Sequence, residues 1–257
     1  MTTTGSGTRP VALVTGVGRT AGIGAAVAAR LAADGWDVAT GYWVPYDERM
    51  PWGHPEGDIE RICEQLRQAG SRTVALTEDL SDVEAPGRLY DRAEAALGPV
   101  TALVLCHCES VDSGLLDTTV DSFDRHYAVN VRATWLLVRE LARRFVGEPG
   151  KGRVVALTSD HTAGNLPYGA TKGAMDRIVL AAARELAGRG ITANVVNPGP
   201  VDTGWMTEEV RDWAVRQSPL GRLGRPSDTA DLVSFLCSAQ GGWINGQLLF
   251  SDGGLHA

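Results

Sequence analysis

Lysine is almost missing from this chain: Lys151 and Lys172 are the only two among 24 basic residues, and the rest are arginine. Cysteine is scarce as well. Four in 257 residues (Cys63, Cys106, Cys108 and Cys237) are too few for a disulfide-stapled secreted module and fit a reducing compartment. Positive charge is in deficit, at −7 net, which excludes a broad cationic footprint for nucleic acid or an anionic membrane. A local basic pocket for one phosphate remains compatible with that balance. No stretch approaches the roughly 18 uninterrupted apolar residues of a membrane span. The opening MTTTGSGTRP lacks the apolar core of a secretory signal. The expectation is a cytoplasmic protein with neither a membrane nor a nucleic-acid partner.

Linkers, internal repeats and low-complexity tracts are lacking too, so residues 1–257 read as one domain, with 1–9 as an N-terminal tail. What is present is an alternation of short β-branched runs with longer amphipathic ones, the signature of βαβ units on a parallel sheet. Strands are expected at Val11–Thr15, Asp37–Tyr42, Arg72–Leu76, Ala102–Cys106, Arg153–Thr158, Ile191–Val196 and Gln247–Phe250. Helices are expected at Ile23–Asp34, Asp58–Ala69, Pro86–Leu97, within Ser122–Phe145, at Tyr168–Ala187, near Glu208–Gln217 and at Asp228–Ser238. The fold class is therefore α/β: a single-domain Rossmann fold with a doubly wound parallel sheet of about seven strands. Between the second strand and its helix lies WVPYDERMPWGHPEG, longer than a minimal turn and rich in tryptophan and proline. It reads either as a functional loop or as a surface insertion over a sheet edge.

After the first strand comes Thr15-Gly16-Val17-Gly18-Arg19-Thr20-Ala21-Gly22-Ile23-Gly24, and then a helix. Glycines let the backbone turn tightly and approach a pyrophosphate, while a helix N-terminus offers amides and a positive dipole. A glycine-rich string alone is weak evidence; the strand before it and the helix after it strengthen the reading.

Tyr168-Gly169-Ala170-Thr171-Lys172 is Y-x-x-x-K, a spacing that puts both side chains on one helical face. With five tyrosines and two lysines, chance supplies such a pair in about one sequence in twenty-five. The chemistry suits the residue types. A carbonyl that accepts hydride develops negative charge on oxygen and needs a proton in the same transition state. A free phenol, with a pKa of about 10, exchanges protons poorly near neutrality, and a neighbouring ammonium is expected to lower that pKa.

Together these motifs resemble the short-chain dehydrogenase/reductase family, in particular its 3-oxoacyl-[acyl-carrier-protein] reductase-like branch, over roughly residues 10 to 254. The resemblance assigns Gly16, Arg19, Gly22, Ile23 and Gly24 to the cofactor phosphates, and Asp79 and Leu80 to the adenine. The segment Asn197-Pro198-Gly199-Pro200-Val201-Asp202-Thr203 looks like the family's NPGxxxT, so Pro198, Gly199, Val201 and Thr203 are implied at the nicotinamide. Pro219-Leu220-Gly221-Arg222, Asn245-Gly246-Gln247 and Asp252-Gly253-Gly254 match its C-terminal pattern. It implies Tyr168 as general acid/base, Lys172 on the ribose hydroxyls and Ser159 on the substrate oxygen. Asn130 is implied as a further catalytic residue, kinking the fourth helix and holding a proton-relay water. Tyr168 and Lys172 thus count as both catalytic and cofactor-binding. Ser159 precedes Tyr168 by nine positions rather than the family's thirteen, and Thr158 and Thr162 are alternative donors.

Two departures stand out. Five residues, not three, separate Thr15-Gly16 from Gly22-Ile23-Gly24, as in the family's divergent enoyl-reductase branch, and the family's NNAG is replaced by Leu105-Cys106-His107-Cys108. A metal reading of Cys-His-Cys is poor, because neighbouring strand residues point to opposite faces, so no metal is expected.

The implied activity is NAD(P)-dependent hydride transfer between a ketone and a secondary alcohol. Enoyl reduction is the alternative within the family, though that branch spaces its tyrosine and lysine more widely. A dinucleotide-sensing regulator without catalysis is the alternative from another class. NADP(H) is favoured over NAD(H): Trp43 stands where a carboxylate would bind the ribose 2′-hydroxyl, and Arg19 or Arg49 is available for a 2′-phosphate. The partners expected are a small carbonyl or alcohol substrate, apolar or ring-bearing given Trp205, Met206 and Trp213, and further copies of this chain. The resemblance implies a homodimer or homotetramer in which the long fourth and fifth helices pair with symmetry mates, Ala133, Trp135 and Leu136 on one and Ala174, Ile178 and Ala182 on the other supplying apolar surface.

Overall fold

The computed structural model describes residues 9–148 and 150–256. Of the proposed tail, Met1–Thr8 lies outside the described residues. Arg9 is docked, donating to the carbonyls of Ala32 at 2.7 Å and Trp36 at 3.2 Å.

Seven parallel strands form one sheet in the order β3-β2-β1-β4-β5-β6-β7. They are β1 (Val11–Thr15), β2 (Asp37–Tyr42), β3 (Thr73–Thr77), β4 (Val100–Leu105), β5 (Gly152–Leu157), β6 (Ile191–Asn197) and β7 (Leu248–Phe250). The helices are α1 (Ile23–Ala33), α2 (Val44–Glu48), α3 (Asp58–Gln68), α4 (Ala85–Leu97), α5 (Val120–His126), α6 (Ala133–Arg144), α7 (Leu166–Glu185), α8 (Glu208–Gln217) and α9 (Pro226–Cys237). This is the expected doubly wound Rossmann architecture. Strand order reverses between β1 and β4, which opens a crevice at the carboxyl ends of the strands.

The period of two along each strand divides the core into two layers. Leu13 and Leu103 join Tyr90, Leu137 and Met175 under α4, α6 and α7. Ala12, Val14, Ala102 and Val104 join Leu31, Leu66 and Leu236 under α1, α3 and α9. Each fully buried leucine contributes about 1.5–3 kcal/mol of apolar transfer energy, so the sheet holds the crevice firmly from both faces.

Three elements depart from expectation. The long loop after β2 contains the short helix α2, begun by Trp43 and Pro45. The single helix expected within Ser122–Phe145 is interrupted by a π-helical turn at Tyr127–Arg132, between α5 and α6. Ala133, Leu136 and Ala182, expected as oligomer surface, are core residues, because their helix faces turn onto the sheet. Trp135 is exposed, as are Phe123 and Tyr127 on the same stretch.

Candidate active site

The crevice is a cavity of about 1060 Å³. Every residue assigned from the sequence lines it except Asn130: Gly16, Arg19, Gly22, Ile23, Gly24, Asp79, Leu80, Ser159, Tyr168, Lys172, Pro198, Gly199, Val201 and Thr203.

The glycine loop is built by close approach. Register pairs Thr15 with Leu105 on β4, so Gly16 crosses the next peptide with φ +74°, and a Cβ there would lie 2.5 Å from the Cys106 carbonyl carbon. A Cβ on Gly24 would lie 2.5 Å from the Gly16 oxygen, so only glycine lets α1 start this close to the strand. The N-cap Gly22 supplies no side-chain cap and the first turn of α1 holds no acid, so its leading amides are open to an anion in the cavity. These residues fit a dinucleotide diphosphate. The two additional loop residues run outward at one end: Thr20 donates its amide to Asp58 at 2.9 Å and its hydroxyl at 3.2 Å.

Arg19 turns inward from that anchor. Its Nε lies 3.2 Å from Asp47 Oδ1, and its Nη1 donates to the Thr203 carbonyl at 3.1 Å. Its guanidinium lies 5.3 Å from the Trp52 ring and 5.9 Å from that of Trp205. Those two rings stack at 4.6 Å with an 8° interplanar angle. Trp52 also donates its indole N–H to Asp47 at 2.9 Å. Burial raises the Asp47 pKa, while the Trp52 hydrogen bond and the Arg19 charge pull it back. Arg49 pairs with the buried Glu109, which Arg125 also approaches at 3.3 Å. Both arginines considered for a 2′-phosphate are therefore held by carboxylates.

At the other end, α7 carries Tyr168 and Lys172 one turn apart. Lys172 Nζ lies 5.6 Å from the Tyr168 ring centroid and donates to the Leu157 carbonyl at 2.7 Å. Ser159 lies beside the Tyr168 phenol and accepts from the His161 amide at 3.2 Å. Thr158 is buried and Thr162 exposed, so Ser159 is the hydroxyl that meets Tyr168. Burial pushes the phenol pKa up, with Cys108 adding to the rise and Ser159 opposing it. Burial likewise lowers Lys172. The lowered phenol pKa expected from the sequence is not found: desolvation, the largest cause, raises it.

Asn130 works from behind the cavity. Its Oδ1 accepts the Glu109 amide at 2.7 Å, and its Nδ2 donates to the Glu109 carbonyl and to Thr171 Oγ1, each at 2.9 Å. It thereby ties the loop after β4 to α7, next to Lys172. The π-helical turn that carries it is braced by His107. His107 Nε2 lies 3.1 Å from the Val129 carbonyl, and Nδ1 lies 2.7 Å from Thr15 Oγ1. Since a carbonyl only accepts, Nε2 bears the proton and Nδ1 accepts from Thr15. Both ring nitrogens are thus engaged. β4 ends at Leu105, so Cys106–Cys108 lie beyond the strand, and the alternation expected of them does not apply. Cys106 and Cys108 line the cavity as free thiols, and burial pushes Cys106 up to about 12.

Gly199, at φ +62°, packs so closely that a Cβ would meet Asp252 Cβ at 2.5 Å, which seats the turn after β6 on the C-terminal segment. Val201 bridges to Gly224. Asp79 pairs with Arg125 at 3.4 Å, and Leu80 is buried beside it. His256 closes the cavity's far rim, bonded to Asp252 at 2.6 Å and to Asp160.

A family model described as enoyl-(acyl carrier protein) reductase matches residues 16–256. The chain belongs to the short-chain dehydrogenase/reductase family. An uncharacterized oxidoreductase of Bacillus subtilis is 36% identical over 249 residues, covering 95% of this chain and 96% of that protein. A short-chain dehydrogenase from Burkholderia cenocepacia, solved in complex with NADP, superposes with a TM-score of 0.85 at 34% identity, covering 96% of this chain and 98% of that one. A blue fluorescent protein from a metagenomic library, solved with NADPH, gives 0.84 at 32% identity, with coverage of 96% and 98%. The chain is thus an NAD(P)-dependent short-chain oxidoreductase acting on a small molecule. Among the described residues no helix is long and apolar enough to cross a membrane.

Sequence reasoning missed Tyr46, Asp47 and Glu109 as cavity residues of this family member. Tyr46 donates to the Ser110 carbonyl at 3.3 Å and lies half-buried near Cys108. The signal for two of them was the unusual loop after β2; for Glu109 there was none, since a carboxylate after a strand ordinarily faces water.

Proposed function

We propose that the protein is a reductase of ketones to secondary alcohols, with Tyr168 as the general acid. The observation that carries this is the Tyr168 phenol with Ser159 and Lys172 beside it, in the cavity that also receives the open end of α1. When bound, a nicotinamide dinucleotide supplies the hydride. Ser159 holds the substrate oxygen, and Tyr168 delivers its proton there as negative charge builds. Lys172 orients the ribose hydroxyls with the N–H groups that Leu157 does not take. Asn130 fixes the loop and helix behind it. Burial raises the phenol pKa and so favours its protonated form, the one that donates to a developing alkoxide. The four-residue Tyr168–Lys172 spacing favours carbonyl over enoyl reduction.

NADP(H) is the preferred cofactor in this reading. Trp43, not a carboxylate, follows β2, and the two solved relatives carry NADP and NADPH. The cavity wall of Trp205, Met206 and Trp213 suits a ring-bearing substrate. The four free cysteines suit the cytoplasm. Exposed Phe123, Tyr127 and Trp135 suit pairing with further copies in a homodimer or homotetramer. The deciding experiment is Tyr168→Phe with a ring-bearing ketone and either cofactor. Turnover should fall at least about 10²-fold while cofactor affinity, measured by calorimetry, stays put. Near-normal turnover would remove Tyr168 from the reaction.

A further inference from the structure

We propose that Arg19, Asp47, Trp52 and Trp205 form a clasp across the cofactor cleft, in which Arg19 binds the dinucleotide's diphosphate rather than reading its 2′-phosphate. The inference rests on the reading of the cavity as a dinucleotide site.

Topology decides which way Arg19 points. Its backbone belongs to the loop after β1, yet its Nη1 reaches the Thr203 carbonyl, in the segment that follows β6. With neighbouring strands about 4.8 Å apart, β6 lies three strands from β1 on the side away from β2. The ribose 2′-position lies at the end of β2, whereas the diphosphate lies over the glycine loop and the start of α1. The guanidinium is held on one side by Asp47, from the segment after β2, and on the other by Thr203, after β6, so it crosses the cleft above the glycine loop, at the diphosphate position. Thr20, anchored outward on Asp58, shows how the longer loop achieves this: the residue before it is left to cross the cleft.

The donor count agrees. Of five guanidinium N–H groups, one on Nη1 is bonded to the Thr203 carbonyl, while Asp47 holds the charge as an ion pair at 3.2 Å from Nε. The two N–H groups of Nη2 and the second of Nη1 make no hydrogen bond among the described residues and are left for phosphate oxygens. The group is already fixed, because it lies against the stacked Trp52 and Trp205 rings and has only about 11% of its side chain exposed. A charge held in place and partly desolvated binds an anion without first losing rotamer freedom.

The clasp also explains the unusual segment between β2 and α3. α2 delivers Asp47, and the turn after it delivers Trp52, whose ring meets Trp205 from the far lip. Three chain segments close over one charge. The Trp52–Trp205 stack backs the guanidinium and holds it over the cleft.

Calorimetric Kd values for NADPH and NADH, with thermal melting to certify folding, test this on the full chain. Arg19→Ala should weaken both cofactors by the same factor, roughly tenfold or more. Trp52→Ala should weaken both at least about threefold, and Trp52→Phe, which preserves the stack, should restore wild-type affinity. A loss confined to NADPH in Arg19→Ala would make it a 2′-phosphate reader and overturn the inference. Wild-type affinity in Trp52→Ala would overturn the clasp. Wild-type protein that binds neither dinucleotide would instead refute the underlying cofactor reading.

Discussion

His107 gives a measurable test of how tightly the loop after β4 is held. Its Nε2 proton goes to Val129 and its Nδ1 accepts from Thr15, so the neutral ring is fully bonded. Protonation would place a cation in a site with 8% exposure. Burial, with the Lys172 charge adding to it, pushes the His107 pKa down from 6.5 to about 3. Between those values the unfolded chain binds a proton that the folded chain refuses, so stability rises with pH there. The contribution is complete above the unfolded pKa and erodes as pH falls below it, at about 1.4 kcal/mol per pH unit. From pH 7.5 to pH 5 the linkage amounts to about 2 kcal/mol. His107→Gln keeps a donor and an acceptor within similar reach but cannot titrate. Urea unfolding of both proteins at pH 7.5, 6 and 5, at equal protomer concentration, isolates this group from the carboxylates that titrate in both. The wild type's advantage over the variant should shrink by about 2 kcal/mol across that range. A difference that does not change with pH would mean that the ring titrates normally, and the reasoning from burial would be wrong.

Other groups lead to equally direct measurements. Asn130→Ala leaves the Glu109 amide and carbonyl without their partner, at a cost of about 2–4 kcal/mol read by denaturant unfolding; an unchanged midpoint would show that water replaces the amide. His256 donates from both ring nitrogens to Asp252 and Asp160, which requires the imidazolium, and these hydrogen bonds raise its pKa. Its stabilisation is present below the ordinary 6.5 and fades as pH rises through the raised value. The melting advantage of wild type over His256→Asn should therefore be larger at pH 5.5 than at pH 8.5. On so exposed a group, screening keeps it under about 1 kcal/mol.

The fold was legible because strand residues carry their environment in their own pattern. Leu13 and Val14 fall in opposite core layers simply because neighbouring strand residues face opposite ways, and the β1 run shows both. The glycine loop was legible for a similar reason: a missing Cβ at Gly16 and Gly24 records backbone contact directly. Tyr168 and Lys172 were legible because a helix converts spacing into adjacency. What sequence could not supply was the direction of long side chains. Arg19 has several rotatable bonds, and its destination depends on Asp47, which lies 28 positions away in a helix of five residues that no periodicity announces. His107 illustrates the same limit. Its partners come from β1 and from the π-helical turn, two segments that meet only in the folded chain, and strand alternation says nothing of it because β4 ends at Leu105. Both residues sit where this chain departs from its family, in the longer glycine loop and in the replaced segment after β4. At such positions local pattern carries little information, because the geometry is set by contacts between segments far apart in sequence. The clasp and the braced turn thus occupy the two places where sequence alone left the chemistry open.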